Sequence, residues 1–154
     1  MTIKTLDTVV LEHPLFAALT PRQAQIVAGC ASNVVFDEGE AIFKSGDKAD
    51  TFYLLRHGQV AVDLHAGERG ALTIDTLGQG DLLGWSWLIP PYRWQFDARA
   101  LELVRAVAFD GACLRGKIEH DHDLGYQLYV RFSRVLLERL QTTRLRLVDV
   151  YGNN

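Results

Sequence analysis

The residues with the greatest chemical potential lie together at positions 78–100, GQGDLLGWSWLIPPYRWQFDARA. This stretch holds all three tryptophans (Trp85, Trp87, Trp94), the adjacent Pro90 and Pro91, Arg93 and Arg99, and three glycines. Proline fixes φ and lacks an amide donor, so neither a sheet ladder nor a helix continues through Pro90-Pro91. The stretch therefore reads as a loop, and loops on a rigid scaffold carry function, with tryptophan and arginine the residues that most often grip ligands or partners. The chemistry within its reach is recognition. An arginine receives an anion in a charge-assisted hydrogen bond, and indole faces stack on flat groups or fill space.

Other candidate centres carry less. His120-Asp121-His122-Asp123 alternates metal-ligand types, but alternate residues do not share a helix face, and acids are expected where a helix starts. A metal site needs three or four converging ligands, so none is expected. No serine, cysteine or histidine stands in a recognisable nucleophile setting, which argues against an enzyme. Cys30 and Cys113 are far apart and outside any CxxC spacing. They read as reduced, partly buried thiols of a cytoplasmic protein. A net charge of −3 and a pI near 5.9 give no electrostatic footprint for nucleic acid. The first 20 residues lack a signal-peptide layout, and no apolar run approaches the roughly 20 residues that span a bilayer. With 154 residues, 48% of them hydrophobic, the chain is expected to form one domain over 1–154 with a substantial core.

The elements that must hold the loop follow from pattern. Residues 1–31 read as N-terminal helices: TLDTVVLEH ends before Pro14, and a second helix starts at Thr20 with Pro21 in its first position and Gln23 completing a capping box, then exits at Gly29. Residues 32–110 read as short strands separated by glycine-bearing turns, the grammar of an antiparallel sandwich or barrel. Val60, Val62 and Leu64 alternate with Ala61, Asp63 and His65, which places one face inward. Residues 111–154 are helical again, with a short connecting helix over 109–116 and a long one over about 121–150. Along the long helix Tyr129, Ser133, Leu136, Leu140, Thr143, Leu147 and Val150 form a heptad seam, while Leu128, Phe132, Val135 and Leu137 form a second apolar row. Two apolar sides imply two partners, the strand domain and the same helix of a second subunit in a two-fold homodimer.

The order of elements and the motifs HPLFAALTP (13–21), FDEGEAIFKSGDKADTFYLLRHGQVAV (36–62), LGQGDLLG (77–84) and LLERLQTTR (136–144) resemble the cyclic nucleotide-binding domain of the catabolite activator protein family, found also in kinase regulatory subunits and gated channels. The resemblance implies a fold that is mainly β with flanking helices: an eight-stranded antiparallel β jelly roll followed by a long C-terminal helix. It also implies a ligand cassette at Leu83, Gly84, Trp85, Ser86, Arg93, Trp94, Gln95 and Asp97, with Thr143 of the long helix matching a threonine that contacts the purine. The cyclic phosphate would meet the amides of Trp85 and Ser86 at a helix start. The chain departs from the family where the ligand is gripped. Trp85 stands where the family has the ribose-binding glutamate, Trp94 falls on the phosphate-binding arginine, and Gln95 replaces the next hydroxyl residue; Arg93 or Arg99 restores the charge only on a re-registered loop. The family's transcription factors continue into a helix-turn-helix domain after the long helix, where this sequence stops, so direct DNA binding is not expected.

Two readings of function follow. One is a regulatory sensor domain that binds a cyclic nucleotide (cyclic AMP or cyclic GMP) or another small anion and switches a dimer or a partner. The other is a ligand-free protein-interaction module, its pocket filled by Trp85 and Trp94, with Trp87 a core plug in either case.

Overall fold

The structure, a computed structural model, describes residues 5–152. The two N-terminal helices form where capping chemistry places them. Helix α1 (Leu6–Glu12) is capped by the Thr5 hydroxyl, and α2 (Pro21–Gly29) carries both bonds of the capping box between Thr20 and Gln23. Eight strands follow: β1 (Ala31–Phe36), β2 (Ala41–Phe43), β3 (Thr51–His57), β4 (Val60–His65), β5 (Ala71–Leu77), β6 (Leu82–Leu83), β7 (Asp97–Ala100) and β8 (Val104–Asp110). They pair into two four-stranded sheets, ordered β1-β8-β3-β6 and β2-β7-β4-β5, with every paired register antiparallel. With the long helix that follows them, this is the antiparallel jelly roll the sequence motifs imply.

Two apolar cores result. Between the sheets lie Leu55, Val60, Val62, Val104 and Ala106 together with Phe43, Trp94 and Phe96. On the outer face of the first sheet Phe52, Phe109 and Trp87 pack against Val10, Phe16, Val27, Leu128 and Phe132 of the helical parts.

Several expectations are corrected. Cys30 and Cys113 are not free thiols: a disulfide joins them, with Cα atoms 6.0 Å apart, because Cys30 caps the end of α2 and Cys113 lies in the first turn of α3 (Gly111–His120). The cytoplasmic assignment loses the support it drew from reduced cysteines. The connecting helix does not start at Phe109 but after Asp110, whose carboxylate caps it by accepting from the Cys113 amide at 2.9 Å. It runs to His120 rather than ending at Gly116. On β4 the alternation breaks at a register shift between Val62 and Asp63, so Leu64 is 41% exposed while Asp63 is buried, accepting from Thr73 at 2.7 Å and pairing with Arg99 at 3.2 Å.

The long helix α4 spans His122–Gly152. Leu128 and Phe132 enter the core and Val135 packs at its edge, but Leu137 is 52% exposed. Steps of four and three from Leu128 through Phe132 and Val135 lead to position 139, so the inward row continues at Arg139 instead. The expected seam divides: Leu136, Leu140 and Thr143 face the chain's own second sheet and the Tyr129 hydroxyl donates to the Leu88 carbonyl, while Leu147 and Val150 further along are exposed.

Candidate ligand-binding site

The loop at 78–100 is folded tightly onto the sheets. Gly84 has φ of +96°, and a Cβ there would lie 2.7 Å from the Trp94 ring, so only glycine allows that indole to close over the backbone. Trp94 is buried and stacks on Phe43 with centroids 3.8 Å apart. Ser86 opens a single 3₁₀ turn, Ser86–Leu88. This is much shorter than the helix that the phosphate reading requires, so backbone amides contribute little anion affinity here. Within that turn Trp87 is fully buried, stacked on Phe52 at 4.8 Å with Phe132 edge-on at 5.4 Å.

The return limb passes through a cis Pro90-Pro91 bond and Tyr92, whose φ of 58° is left-handed. Arg115 of α3 holds this limb. Its guanidinium lies 4.3 Å above the Tyr92 ring and donates to the Trp87 carbonyl at 2.7 Å and to Asp50 at 2.8 Å. The Arg115 hydrogen bond holds the Asp50 carboxyl below its usual range, opposed by desolvation and aided by the Lys48 charge. The β2–β3 loop fixes the other side: the Ala49 amide donates to the Tyr92 carbonyl at 2.8 Å, and the Gly46 amide to the Trp94 carbonyl at 2.8 Å.

Helix α4 meets the loop at three points. The Tyr129 hydroxyl donates to the Leu88 carbonyl at 3.1 Å, Phe132 touches Trp87, and the Arg139 guanidinium lies 5.0 Å from the Trp85 centroid while donating to the Leu82 carbonyl. Trp85 itself is half-buried, edge-on to Phe96 at 5.3 Å. Beside it opens a cleft of about 490 Å³ between the second sheet and α4, a volume within the range of small-molecule sites, about 300–1,000 Å³. Val62, Leu64, Ile74 and Phe96 line one side, Leu136, Leu140 and Thr143 the other, with Asp75, Gln95 and Arg139 as its polar groups. Burial pushes the Arg139 guanidinium below its ordinary value, opposed by the charges of Asp75, Asp81 and Glu138.

Of the nine residues singled out from the sequence, Trp85, Gln95 and Thr143 meet in this cleft. Leu83, Gly84, Ser86 and Trp94 are buried in the packing around it. Arg93 is exposed and bridges Lys48 through the backbone, and Asp97 accepts from the Ser45 amide at 2.7 Å and pairs with His65 at 3.0 Å. Arg99 is committed to Asp63. Sequence reasoning missed Arg139 and Arg115; for Arg139 the signal was the row spacing on α4, which names position 139 and not 137.

The second sheet, the loop at 78–100 and the helix that follows thus line a common cleft. The chain belongs to the cyclic nucleotide-binding domain family, whose model matches residues 33–121. A protein of Geobacter metallireducens GS-15 described as cyclic nucleotide-binding is 31% identical to it, with a TM-score of 0.79 over 90% of this chain and 99% of that one. The regulatory domain of Toxoplasma gondii PKA, solved with cAMP, shares the fold at a TM-score of 0.72 and 16% identity, over 86% of this chain and 49% of that one. The chain is 35% identical over 71 residues to the cGMP-dependent protein kinase egl-4 of Caenorhabditis briggsae, covering 46% of this chain, and 32% identical over 73 residues to the cAMP-dependent protein kinase regulatory subunit of Emericella nidulans, covering 47%. It spans 10% and 17% of the length of these two relatives. Among the described residues no cluster of candidate metal ligands occurs, and no helix is long and apolar enough to cross a membrane.

Proposed function

We propose that this chain is a regulatory sensor domain that binds a small anionic ligand, with cyclic nucleotides as the family's reference ligands, in the cleft between the second sheet and α4, and that occupancy is passed to a homodimer through α4. The observation that carries this reading is the makeup of the cleft. Trp85 and the sheet form one wall and Leu136, Leu140 and Thr143 of α4 the other, so an occupant touches both parts and biases their relative position. Past the cleft the same helix presents Leu147 and Val150 to solvent, which suits a second copy of that helix.

Without the family's glutamate and arginine, two charged hydrogen bonds of about 1.5–3 kcal/mol each are missing, which lowers affinity for cyclic AMP by about two to four decades. Calorimetry with cyclic AMP and cyclic GMP is expected to give saturable heat only toward millimolar ligand, and sedimentation to give a dimer. Complete absence of heat removes nucleotide sensing.

The interaction-module reading draws on one observation: Trp94 fills the space beside Gly84 while Ile89, Pro90 and Pro91 are exposed next to it. It expects no heat with any small anion and a sedimentation profile that no such ligand changes.

A further inference from the structure

Arg139 occupies a place that the fold does not explain. It continues the inward row of α4 and stands half-buried between the 490 Å³ cleft and a neighbouring one of about 470 Å³. Its guanidinium makes one hydrogen bond, to the Leu82 carbonyl, and among the described residues no carboxylate forms an ion pair with it. Of the three acids nearby, Asp75, Asp81 and Glu138, the first two are committed elsewhere. Asp75, which lines both clefts, pairs with Arg146 at 3.1 Å and accepts the Thr76 amide at 2.9 Å; Asp81 accepts the Gly78 amide at 2.9 Å. A partly desolvated guanidinium with most of its donors unmet is costly until an anion completes it.

The remainder of the cleft is chiefly apolar, formed by Val62, Leu64, Ile74, Phe96, Leu136 and Leu140. Ribose hydroxyls would find partners only at Asp75, Gln95 and Thr143 and would go unpaired against the rest, and unpaired polar groups are what a site rejects most strongly. The half-buried face of Trp85 already holds one planar group, the Arg139 guanidinium, and an aromatic ring beside it gains offset stacking.

We propose that the cleft takes an amphipathic organic acid, with a flat aromatic or short acyl body against Trp85, Phe96 and Leu140 and a carboxylate on Arg139. The proposal rests on the reading of this cleft as the ligand site and narrows its ligand class. The geometry also makes α4 itself the source of the counter-charge, so the acid draws the helix toward the sheet directly.

The probe is 1-naphthoate, compared with the neutral 1-naphthalenemethanol and with cyclic AMP, by calorimetry on the full chain. Naphthoate is expected to bind about 10- to 100-fold more tightly than the alcohol, the range of one charged hydrogen-bonding pair. Arg139→Met should reduce that preference to within about twofold while Arg139→Lys retains part of it. The acid-to-alcohol ratio in the unaltered protein reads the claim even where a variant folds poorly. Equal binding of acid and alcohol, or a preference that survives Arg139→Met, overturns the proposal. Cyclic AMP binding more tightly than naphthoate also overturns it and leaves the sensor reading standing, whereas no heat from any of the three removes both.

Discussion

Trp87 and Trp85 sit two residues apart on one turn and face different tasks. Trp87 is fully buried among Phe52, Phe109 and Phe132, in the core that also contains the Cys30–Cys113 link. Trp85 is half-buried, edge-on to Phe96 and under Arg139, in the wall of a cleft. Trp94 sides with Trp87 in burial but belongs to the other core, stacked on Phe43. A cluster of aromatics in one loop thus splits into residues that build the loop and a residue that the loop presents. It is the presented one that the sequence resemblance sets at the family's ribose contact.

The split makes graded predictions. Trp87→Ala should cost the most, about 3–5 kcal/mol in urea unfolding, because a large cavity opens in the core under the loop. Reduction of the disulfide should follow at about 2–4 kcal/mol: the bond closes a separation of 83 residues and pins α3 beside that same core. A thermal melt with and without reductant reads this, and an unchanged midpoint would mean the pair is not closed in solution. Gly84→Ala should cost about 1–3 kcal/mol, since the new Cβ meets the Trp94 ring at 2.7 Å on a backbone at φ +96°; pairing it with Trp94→Phe should recover part of the loss. Trp85→Ala should cost least, about 1 kcal/mol, while lowering ligand affinity at least tenfold. A stability loss at Trp85 equal to that at Trp87 would erase the distinction.

Much of the scaffold was legible because local chemistry decides it. The capping box at Thr20 and Gln23 and the glycine-bearing turns point to the observed elements. Strand β6 stayed hidden because two residues, Leu82 and Leu83, are too few for any period to register. An apolar count alone puts Leu137 on the inward face where Arg139 belongs, because it overlooks an arginine that a strict walk of fours and threes reaches. The disulfide joins the end of α2 to the start of α3, a proximity that only the closed fold creates. At the candidate site the sequence located the loop but not its orientation. Gly84 and Tyr92 both take positive φ, and such turns re-aim every following side chain, so that Trp94 goes inward, Arg93 outward, and Trp85 into the cleft.

Whether a ligand occupies the cleft walled by Trp85 and α4 is decided by calorimetric titration of 1-naphthoate and cyclic AMP into the unaltered protein, Trp85→Ala and Trp94→Phe, each first checked for a folded thermal transition. Trp85→Ala is expected to lose at least tenfold in affinity for the ligand that binds while Trp94→Phe stays within about threefold, close to half a decade or 0.7 kcal/mol. Binding unaffected by Trp85→Ala but abolished in folded Trp94→Phe would contradict occupancy of that cleft.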